Sequence, residues 1–371
     1  MNKKNLALFV AVLIFCFIFL EMFLRIILPQ TTNIYQYNKD YVFEFRPGAQ
    51  LFYERGEFSH SIKMNNQGFR DGGRDYSSDK NNITYRIAMI GDSFVSALEV
   101  AEENRTSNIL ENKLSSFSNS SEKKFEVLNF GINGYSTEQE LLQLEKKVIN
   151  YDPDLIVLNY YVGNDQIDNY NRKLFNFKND SLSINENREF SQRWPRSIFY
   201  FLTGKSHLFS FIFNNYQRMI SSFNPSYMRK EVGAVSGKEF VETSLLKNET
   251  ELSKNVWLKT KLLLKNMSDF AEENKKKIFV VIIPDRVQEN EKDLKYLLNV
   301  HNITSAIEIS RPQRILGEFF EKEKINYINL LPSLVNKTSQ IHYLEDFHWN
   351  EEGHRMVAEG ILQKLINDSV I

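Results

Sequence analysis

The chain is poor in cysteine and has no marked excess of charge of either sign. Cys16 is the single cysteine among 371 residues, which excludes an intramolecular disulfide and a cysteine-rich metal centre. A formal net charge of −1 gives no basis for expecting nucleic acid or another polyanion as a partner. Apolar residues at 42% and charged residues at 25% are ordinary for a globular protein. The length suits one sizeable α/β domain with an N-terminal segment and an insertion.

Long apolar runs are also scarce, and the one long enough to cross a bilayer lies at the N-terminus. Residues 6–20 carry no charged or strongly polar side chain, and the mainly apolar segment continues to residue 28, with Glu21 and Arg25 near its far end. Because about 20 apolar residues of helix span a membrane, 6–28 is predicted to be a transmembrane anchor. Lys3 and Lys4 precede it, which favours a cytoplasmic tail at 1–5 and an exported body. We expect a single-pass protein of a bacterial inner membrane, facing the periplasm or the cell exterior.

A cleavable signal peptide is the main alternative for this segment. Its apolar region would be shorter and would end in small residues at a cleavage site. Residues 21–28 are bulky and offer no such site, so an uncleaved anchor is preferred.

Several short apolar runs predict the strands of a parallel sheet. Three of them pass directly into glycine and polar residues, at 87–93, 127–137 and 155–165, and two more follow at 277–284 and 325–330. Open α/β sheets place their ligands at the carboxyl ends of the strands. Ser93 ends the first run there. Taken alone, however, it is better explained as a helix cap. After the second run, Thr137 and Glu140 match a capping box, which predicts the start of a helix at Thr137.

Four blocks together resemble the SGNH hydrolase family, also called GDSL hydrolases, which uses a serine, a glycine, an asparagine and a histidine. The matching blocks are Gly91-Asp92-Ser93, residues 129–134, Gly163-Asn164-Asp165 and Asp346-Phe347-His348. The resemblance extends over roughly residues 83–369. It implies a three-layer α/β/α domain with a flavodoxin-like parallel sheet of about five strands.

The resemblance also implies chemistry for the blocks. A serine hydroxyl needs a neighbouring base to take its proton, and an imidazole titrates near neutral pH. Ser93 is then the nucleophile and His348 the base. Backbone or side-chain N–H groups of Ser93, Gly134 and Asn164 would form the oxyanion hole. Taken singly, the asparagine and the glycine could equally belong to ordinary loops and turns.

The last block departs from the family's commonest pattern. That pattern has two residues between the acid and the histidine, whereas Asp346 and His348 are separated by one. Some members resemble this chain in having the shorter form, which favours Asp346 as the orienting carboxylate. Glu345 stands at the usual distance and is the alternative.

Four potential metal ligands lie near the C-terminus: His342, Asp346, His348 and His354. The earlier strand ends provide no matching group of His, Cys or carboxylate residues, so neither a metal nor another cofactor is predicted. His354 is expected to pack within the last helix, with Asn350 as the N-cap.

Two regions surround the catalytic blocks. Residues 65–70, within the region 29–82, have the pattern Asn-x-x-Gly-Phe-Arg. Anchored proteins similar to this one often carry this pattern before the serine strand. We therefore expect 29–82 to pack on the hydrolase domain, 83–371, rather than form a free linker. An insertion at about 166–255 includes an aromatic-rich stretch at 194–223. It is predicted either as a helical cap that touches the membrane surface or an acyl chain, or as extra helices that extend the core.

The preferred function is hydrolysis of an oxygen ester, through an acyl-enzyme, on an extracytoplasmic glycan or lipid. One alternative is an O-acyltransferase that moves acetyl groups to a cell-surface polysaccharide. Others are a catalytically silent glycan-binding or scaffold domain and a metal-dependent hydrolase. The expected partners are the ester substrate and the membrane, through 6–28; the sequence identifies no protein partner.

Overall fold

A computed structural model describes residues 2–117, 123–178, 181–223, 237–335, 337 and 339–371. The predicted insertion at 166–255 falls partly on 179–180 and 224–236, which lie outside the described residues.

The described strands form one five-stranded sheet and three two-stranded antiparallel ribbons. Their bounds are β1 Tyr35–Asn38, β2 Val42–Phe45, β3 Gln50–Arg55, β4 Phe58–Lys63, β5 Thr84–Ile90, β6 Lys124–Asn129, β7 Leu155–Tyr161, β8 Phe175–Lys178, β9 Ser181–Ile184, β10 Lys277–Ile283 and β11 Asn326–Asn329. The main sheet is entirely parallel and has the order β11-β10-β7-β5-β6. All five predicted strands are present, in the flavodoxin-like order.

Helices connect and cover these strands. Their bounds are α1 Lys3–Ile27, α2 Ser93–Ser96, α3 Thr106–Phe117, α4 Thr137–Lys146, α5 Asp165–Arg172, α6 Glu186–Lys205, α7 His207–Phe223, α8 Lys238–Phe240, α9 Glu251–Glu273, α10 Arg286–Glu289, α11 Glu291–Val300, α12 Arg311–Glu323, α13 Leu331–Leu334 and α14 Glu351–Asn367. Two short 3₁₀ helices, Glu102–Asn104 and Val148–Tyr151, and a π-helical turn, Val241–Leu245, complete the set.

The main sheet is buried on both faces. Successive side chains of a strand point to opposite faces. In β5, Ala88 and Ile90 belong to one apolar cluster, whereas Ile87 and Met89 belong to another. Helices α4, α9 and α12 contribute to the first cluster, and α3 and α14 to the second. The fold is therefore the predicted three-layer α/β/α sandwich, and its continuous apolar strands are typical of a covered parallel sheet.

The strand order gathers the predicted blocks at one place. β5 lies between β6 and β7, so the direction of strand succession reverses there. The crevice at the carboxyl ends of strands at such a switch point is the usual ligand site of open α/β sheets. The loops after β6 and β7 thus flank the end of β5.

Helix α4 is capped one residue earlier than the sequence pattern predicts. Thr137 is already helical and Ser136 is the N-cap, with its N–H 3.4 Å from Gln139 Oε1. Ser136 and Gln139 match the same capping pattern as Thr137 and Glu140, which is why the sequence left two registers available.

The N-terminal ribbons pack against the loop that follows α2. Arg70 is 1% exposed, and its guanidinium donates to the carbonyls of Ser96, Ala97 and Val100. The planar fork of an arginine suits several carbonyls at once. This side chain therefore ties the segment before β5 to the backbone just after Ser93.

Gly131, after β6, lies too close to α2 to accept a side chain. A Cβ at this position would overlap the backbone of Val95 and Ser96. We expect Gly131→Ala to lower the free energy of unfolding by about 1–3 kcal/mol, the usual cost of overpacking. Urea denaturation of the full-length protein in detergent measures it.

Gly237→Ala is the matched control, because no atom of the described residues lies within 4 Å of a Cβ there. It is expected to unfold like the wild type. Equal free energies of unfolding for the two alanine variants would contradict the close approach of α2 to Gly131.

Candidate active site

The turn after β5 presents Ser93 at the surface of the sheet edge. Gly91 has no space for a side chain, because a Cβ would meet Val95 and Asn159. Asp92 Oδ1 then accepts a hydrogen bond from the Phe94 N–H at 3.0 Å and caps α2. Ser93 is partly exposed whereas the residues on either side of it are buried.

His348 links Ser93 to Asp346. Its Nε2 lies 2.8 Å from Ser93 Oγ, and its Nδ1 lies 2.5 Å from Asp346 Oδ1. Both distances are within hydrogen-bond reach. The Phe94 ring packs beside the imidazole, with ring centroids 5.2 Å apart. Residues 255 apart in the chain thus form one row of acid, imidazole and hydroxyl.

Phe347 explains how one intervening residue suffices between acid and histidine. Its φ is +72°, in the left-handed region that non-glycine residues rarely adopt. This turn of the backbone brings the Asp346 carboxylate onto the ring of His348. Arg286 lies over the Phe347 ring at 4.6 Å, and the Phe347 carbonyl is 2.8 Å from His342 Nδ1. These contacts hold the strained residue in place.

The ribbon β3–β4 holds the acid loop from the other side. Arg55 forms an ion pair with Asp346 Oδ2 at 3.2 Å. Glu57, in the turn of the ribbon, accepts hydrogen bonds from the N–H groups of Glu345 and Asp346 at 2.6 and 3.2 Å. The Glu345 side chain is exposed, so Asp346 is the carboxylate of the two that lies on the imidazole.

Glu99 is a second buried carboxylate beside His348. Its Oε1 lies 3.7 Å from His348 Nδ1, and the side chain is 2% exposed. Within the described part of the chain, its Oε2 has no hydrogen-bond partner. Burial raises the pKa of the Glu99 carboxyl. The imidazole therefore faces two acids on the same side.

This arrangement favours the protonated imidazole. Burial alone opposes charging of the ring, but the nearby carboxylates of Glu99, Asp346 and Asp92 outweigh it and raise the pKa of His348 to about 9. Burial also raises the pKa of Asp92 to about 6. A positive charge that forms on His348 is therefore stabilised by its surroundings.

Gly134 lies in the loop on the β6 side of Ser93. Its φ is +78°, which favours glycine, and its carbonyl accepts a hydrogen bond from Arg172. The loop is fastened to β5 and α2: the Ile132 N–H donates to Gly91 O at 3.1 Å, and the Asn129 amide donates to Val95 O at 2.8 Å.

Asn164 lies on the opposite side, at the end of β7, where it is the N-cap residue of α5. Its Nδ2 donates to Asp168 Oδ2 at 3.2 Å. An amide nitrogen carries two hydrogens, so one remains for a ligand. The side chain is partly exposed, which leaves it accessible from the edge of the sheet.

The other histidines near the C-terminus point elsewhere. His354 is buried, its Nδ1 is 2.8 Å from Thr106 Oγ1, and burial lowers its pKa to about 3. His342 Nε2 is 2.9 Å from Glu289. Among the described residues, the group with metal-ligand spacing is Glu99, Asp346 and His348. In that group, His348 Nδ1 lies on Asp346, and the other ring nitrogen lies on Ser93.

Sequence reasoning missed three residues of this site: Arg55, Glu57 and Glu99. The first two belong to a surface ribbon with ordinary charged residues, and no local pattern distinguishes them. The sequence does contain an indication of Glu99, because it is the one charged residue in the otherwise apolar or small stretch 94–101, just after the serine. A buried acid is expected only where a partner or a function requires it.

Comparison with known proteins gives matches among solved structures alone, since no family model and no curated protein matches the chain. The chain is similar to a catalytic mutant of Axe2, an acetylxylan esterase from Geobacillus stearothermophilus, at 11% identity and a TM-score of 0.42, over 78% of this chain and 96% of that one. It is also similar to a lipase/acylhydrolase from Enterococcus faecalis, at 12% identity and a TM-score of 0.41, over 76% and 95%. These values are low, so the chemistry of this chain follows from its own residues.

The two acids beside His348 make a prediction for its titration. In ¹⁵N NMR of the histidine rings, His348 is expected to titrate with a pKa of about 9. Its signal is identified by loss in His348→Gln. Glu99→Gln removes a negative charge facing the ring and should move this pKa down toward its ordinary value.

Glu345→Gln is the matched control, because that carboxylate is exposed, and the pKa of His348 should not change. An unchanged pKa in Glu99→Gln would contradict the proximity of Glu99 to the ring.

Proposed function

We propose that this chain is a serine esterase of the SGNH type, which cleaves an oxygen ester through an acyl-enzyme. The observation that carries the proposal is the hydrogen-bonded row of Asp346, His348 and Ser93, with distances of 2.5 and 2.8 Å. A serine that only caps a helix does not need an imidazole on its hydroxyl. A nucleophilic serine does, because its proton must leave as it attacks.

In the proposed reaction, Ser93 Oγ attacks the ester carbonyl and passes its proton to His348 Nε2. Asp346 keeps the ring in the tautomer that accepts this proton and stabilises the imidazolium. Glu99 adds to that stabilisation from 3.7 Å. The imidazolium then gives the proton to the departing alkoxide, and the acyl group remains on Ser93. Water, or a sugar hydroxyl, then attacks the acyl-enzyme while His348 again accepts a proton. The acyl group leaves with this acceptor, and the proton returns to Ser93.

The oxyanion of the tetrahedral intermediate would be bound between the two loops that flank β5. The Ser93 and Gly134 N–H groups and the Asn164 amide are the proposed donors. Loss of one such donor typically costs about 10²–10³-fold in rate. The contact of Arg172 with the Gly134 carbonyl supports this role, because it holds the Gly134–Tyr135 peptide, which directly follows the proposed N–H donor.

We further propose that α1 is an uncleaved membrane anchor and that the site works outside the cytoplasm. The most apolar 18 residues of this helix have a mean hydropathy of 2.8, and none of them is buried. Its C-terminal end contacts the body: Glu21 accepts hydrogen bonds from the N–H groups of His207 and Leu208 at 3.0 and 2.9 Å. Removal of a signal peptide would leave the first turn of α7 without this acceptor, which favours the anchor.

The proposed substrate is an ester on a glycan or lipid at the outer face of that membrane. A body attached to a bilayer by its N-terminus meets esters of the cell envelope. We propose water as the acceptor of the acyl group. The alternative is transfer from the same acyl-enzyme to a hydroxyl of a polysaccharide.

Covalent labelling tests the proposed nucleophile. The full-length protein in detergent is expected to react with a fluorophosphonate probe at Ser93. Ser93→Ala should abolish labelling, and His348→Ala should slow it by about 10²–10⁴-fold, the usual contribution of a general base. Intact mass spectrometry measures the adduct.

Ser59→Ala is the matched control, because Ser59 is exposed on β4, and it should label like the wild type. Circular dichroism shows that each variant is folded. A folded wild type that does not label would contradict the esterase proposal and favour a silent binding domain.

A further inference from the structure

The helices α6 and α7 expose an apolar stripe that water does not favour. On α7, the exposed residues Ile212, Tyr216, Met219 and Phe223 recur at spacings of four and three, so they share one face. On α6, Ile198 and Phe201 are also exposed. Phe201 and Phe223 are 65% and 84% exposed. Clustered apolar exposure of this kind marks an interaction surface, whereas isolated exposed residues do not.

This helix pair is fastened to the end of the proposed anchor. The Glu21 carboxylate accepts hydrogen bonds from the first turn of α7, and Ser206 Oγ donates to it at 2.8 Å. Arg25 donates to the Lys205 carbonyl. Just beyond α1, the Gln30 N–H lies 2.9 Å from His207 Nδ1. The stripe therefore starts where the chain leaves the bilayer, and α7 extends about 25 Å from that point.

The charge of the pair complements a lipid surface. α6 begins with Glu186 and Glu189, but residues 190–223, which make up the rest of the pair, contain no aspartate or glutamate, although the chain has 47 acidic residues. They include four basic residues: Arg193, Arg196, Lys205 and Arg218. An apolar face combined with basic side chains is the composition of helices that lie in the interface of an anionic membrane.

We propose that α6 and α7 lie in the headgroup region of the same membrane that α1 spans, with their apolar stripe in contact with lipid. The inference rests on the proposed anchor and adds a second point of attachment to it. Two attachments fix the orientation of the body, whereas a single helix leaves it free to rotate.

The orientation matters for the active site, because α6 contacts the loop of Gly134 through one aromatic residue. The ring of Tyr200 lies 6.4 Å from that of Phe43, and Phe43 Cζ is 3.9 Å from the Cβ position of Gly134. The proposed lipid contact is thus two side chains away from the proposed oxyanion loop.

Lipid quenching of a single fluorescent probe tests the inference in the full-length protein. One chain is placed in each nanodisc of phosphatidylcholine and phosphatidylglycerol, and nitroxide lipids quench at known depths. Cys16 is the native labelling position for the anchor. In a Cys16→Ser background, Ile212→Cys reports the stripe. Ile83→Cys is the matched control, as an isoleucine of similar exposure (50% against 57%) that precedes β5.

We expect deep quenching at position 16, strong quenching by headgroup-level nitroxide at 212, and none at 83. Quenching at 16 with none at 212 would overturn the inference and leave the anchor intact. A probe at 212 that is shielded from water but not quenched would also overturn it, because protein and not lipid would then cover the stripe. No quenching at 16 would overturn the anchor and the inference together.

Discussion

The arrangement of the candidate site depends on the largely buried imidazole of His348, which is hydrogen-bonded at both ring nitrogens. His348 is 13% exposed and connects a hydroxyl at the end of β5 with a carboxylate near the C-terminus. Each nearby element contributes to this contact. The tight turn at Gly91 presents the serine, the left-handed Phe347 turns the acid onto the ring, and the ribbon β3–β4 holds the acid loop. The carboxylates around the ring stabilise the charge that proton transfer would place there.

The segment before β5 is part of this arrangement. Arg55 reaches Asp346 across 291 residues of sequence, and Arg70 binds the backbone after Ser93. The same segment carries Phe43, which lies between the insertion helices and the Gly134 loop. The N-terminal region thus touches the loops that carry Ser93, Asp346 and Gly134.

The sequence predicted the parts of the fold that local patterns encode. The five strands and the Asn350 cap of α14, whose side chain accepts from the Gly353 N–H at 3.0 Å, follow from apolar runs and capping chemistry. The flavodoxin-like parallel order of the strands was implied by the resemblance to the SGNH family. The cap of α4 was wrong by one residue, because Ser136 and Thr137 offer equivalent registers. The proximity of Glu99 and Arg55 to the imidazole could not be predicted, since such contacts depend on tertiary packing between distant segments. Likewise, the short spacing of Asp346 and His348 becomes intelligible only with the backbone angle of Phe347.

The pH dependence of ester cleavage tests the central claim most directly. Only a neutral imidazole can accept the Ser93 proton, and the carboxylates raise the pKa of His348 to about 9. For the full-length protein and a neutral activated acetate ester, kcat/KM should therefore rise with pH and level off above about 9. Such a profile, lost in Ser93→Ala, is the predicted result. A rate that levels off near pH 6.5, the ordinary histidine value, or that does not depend on Ser93, would contradict the account.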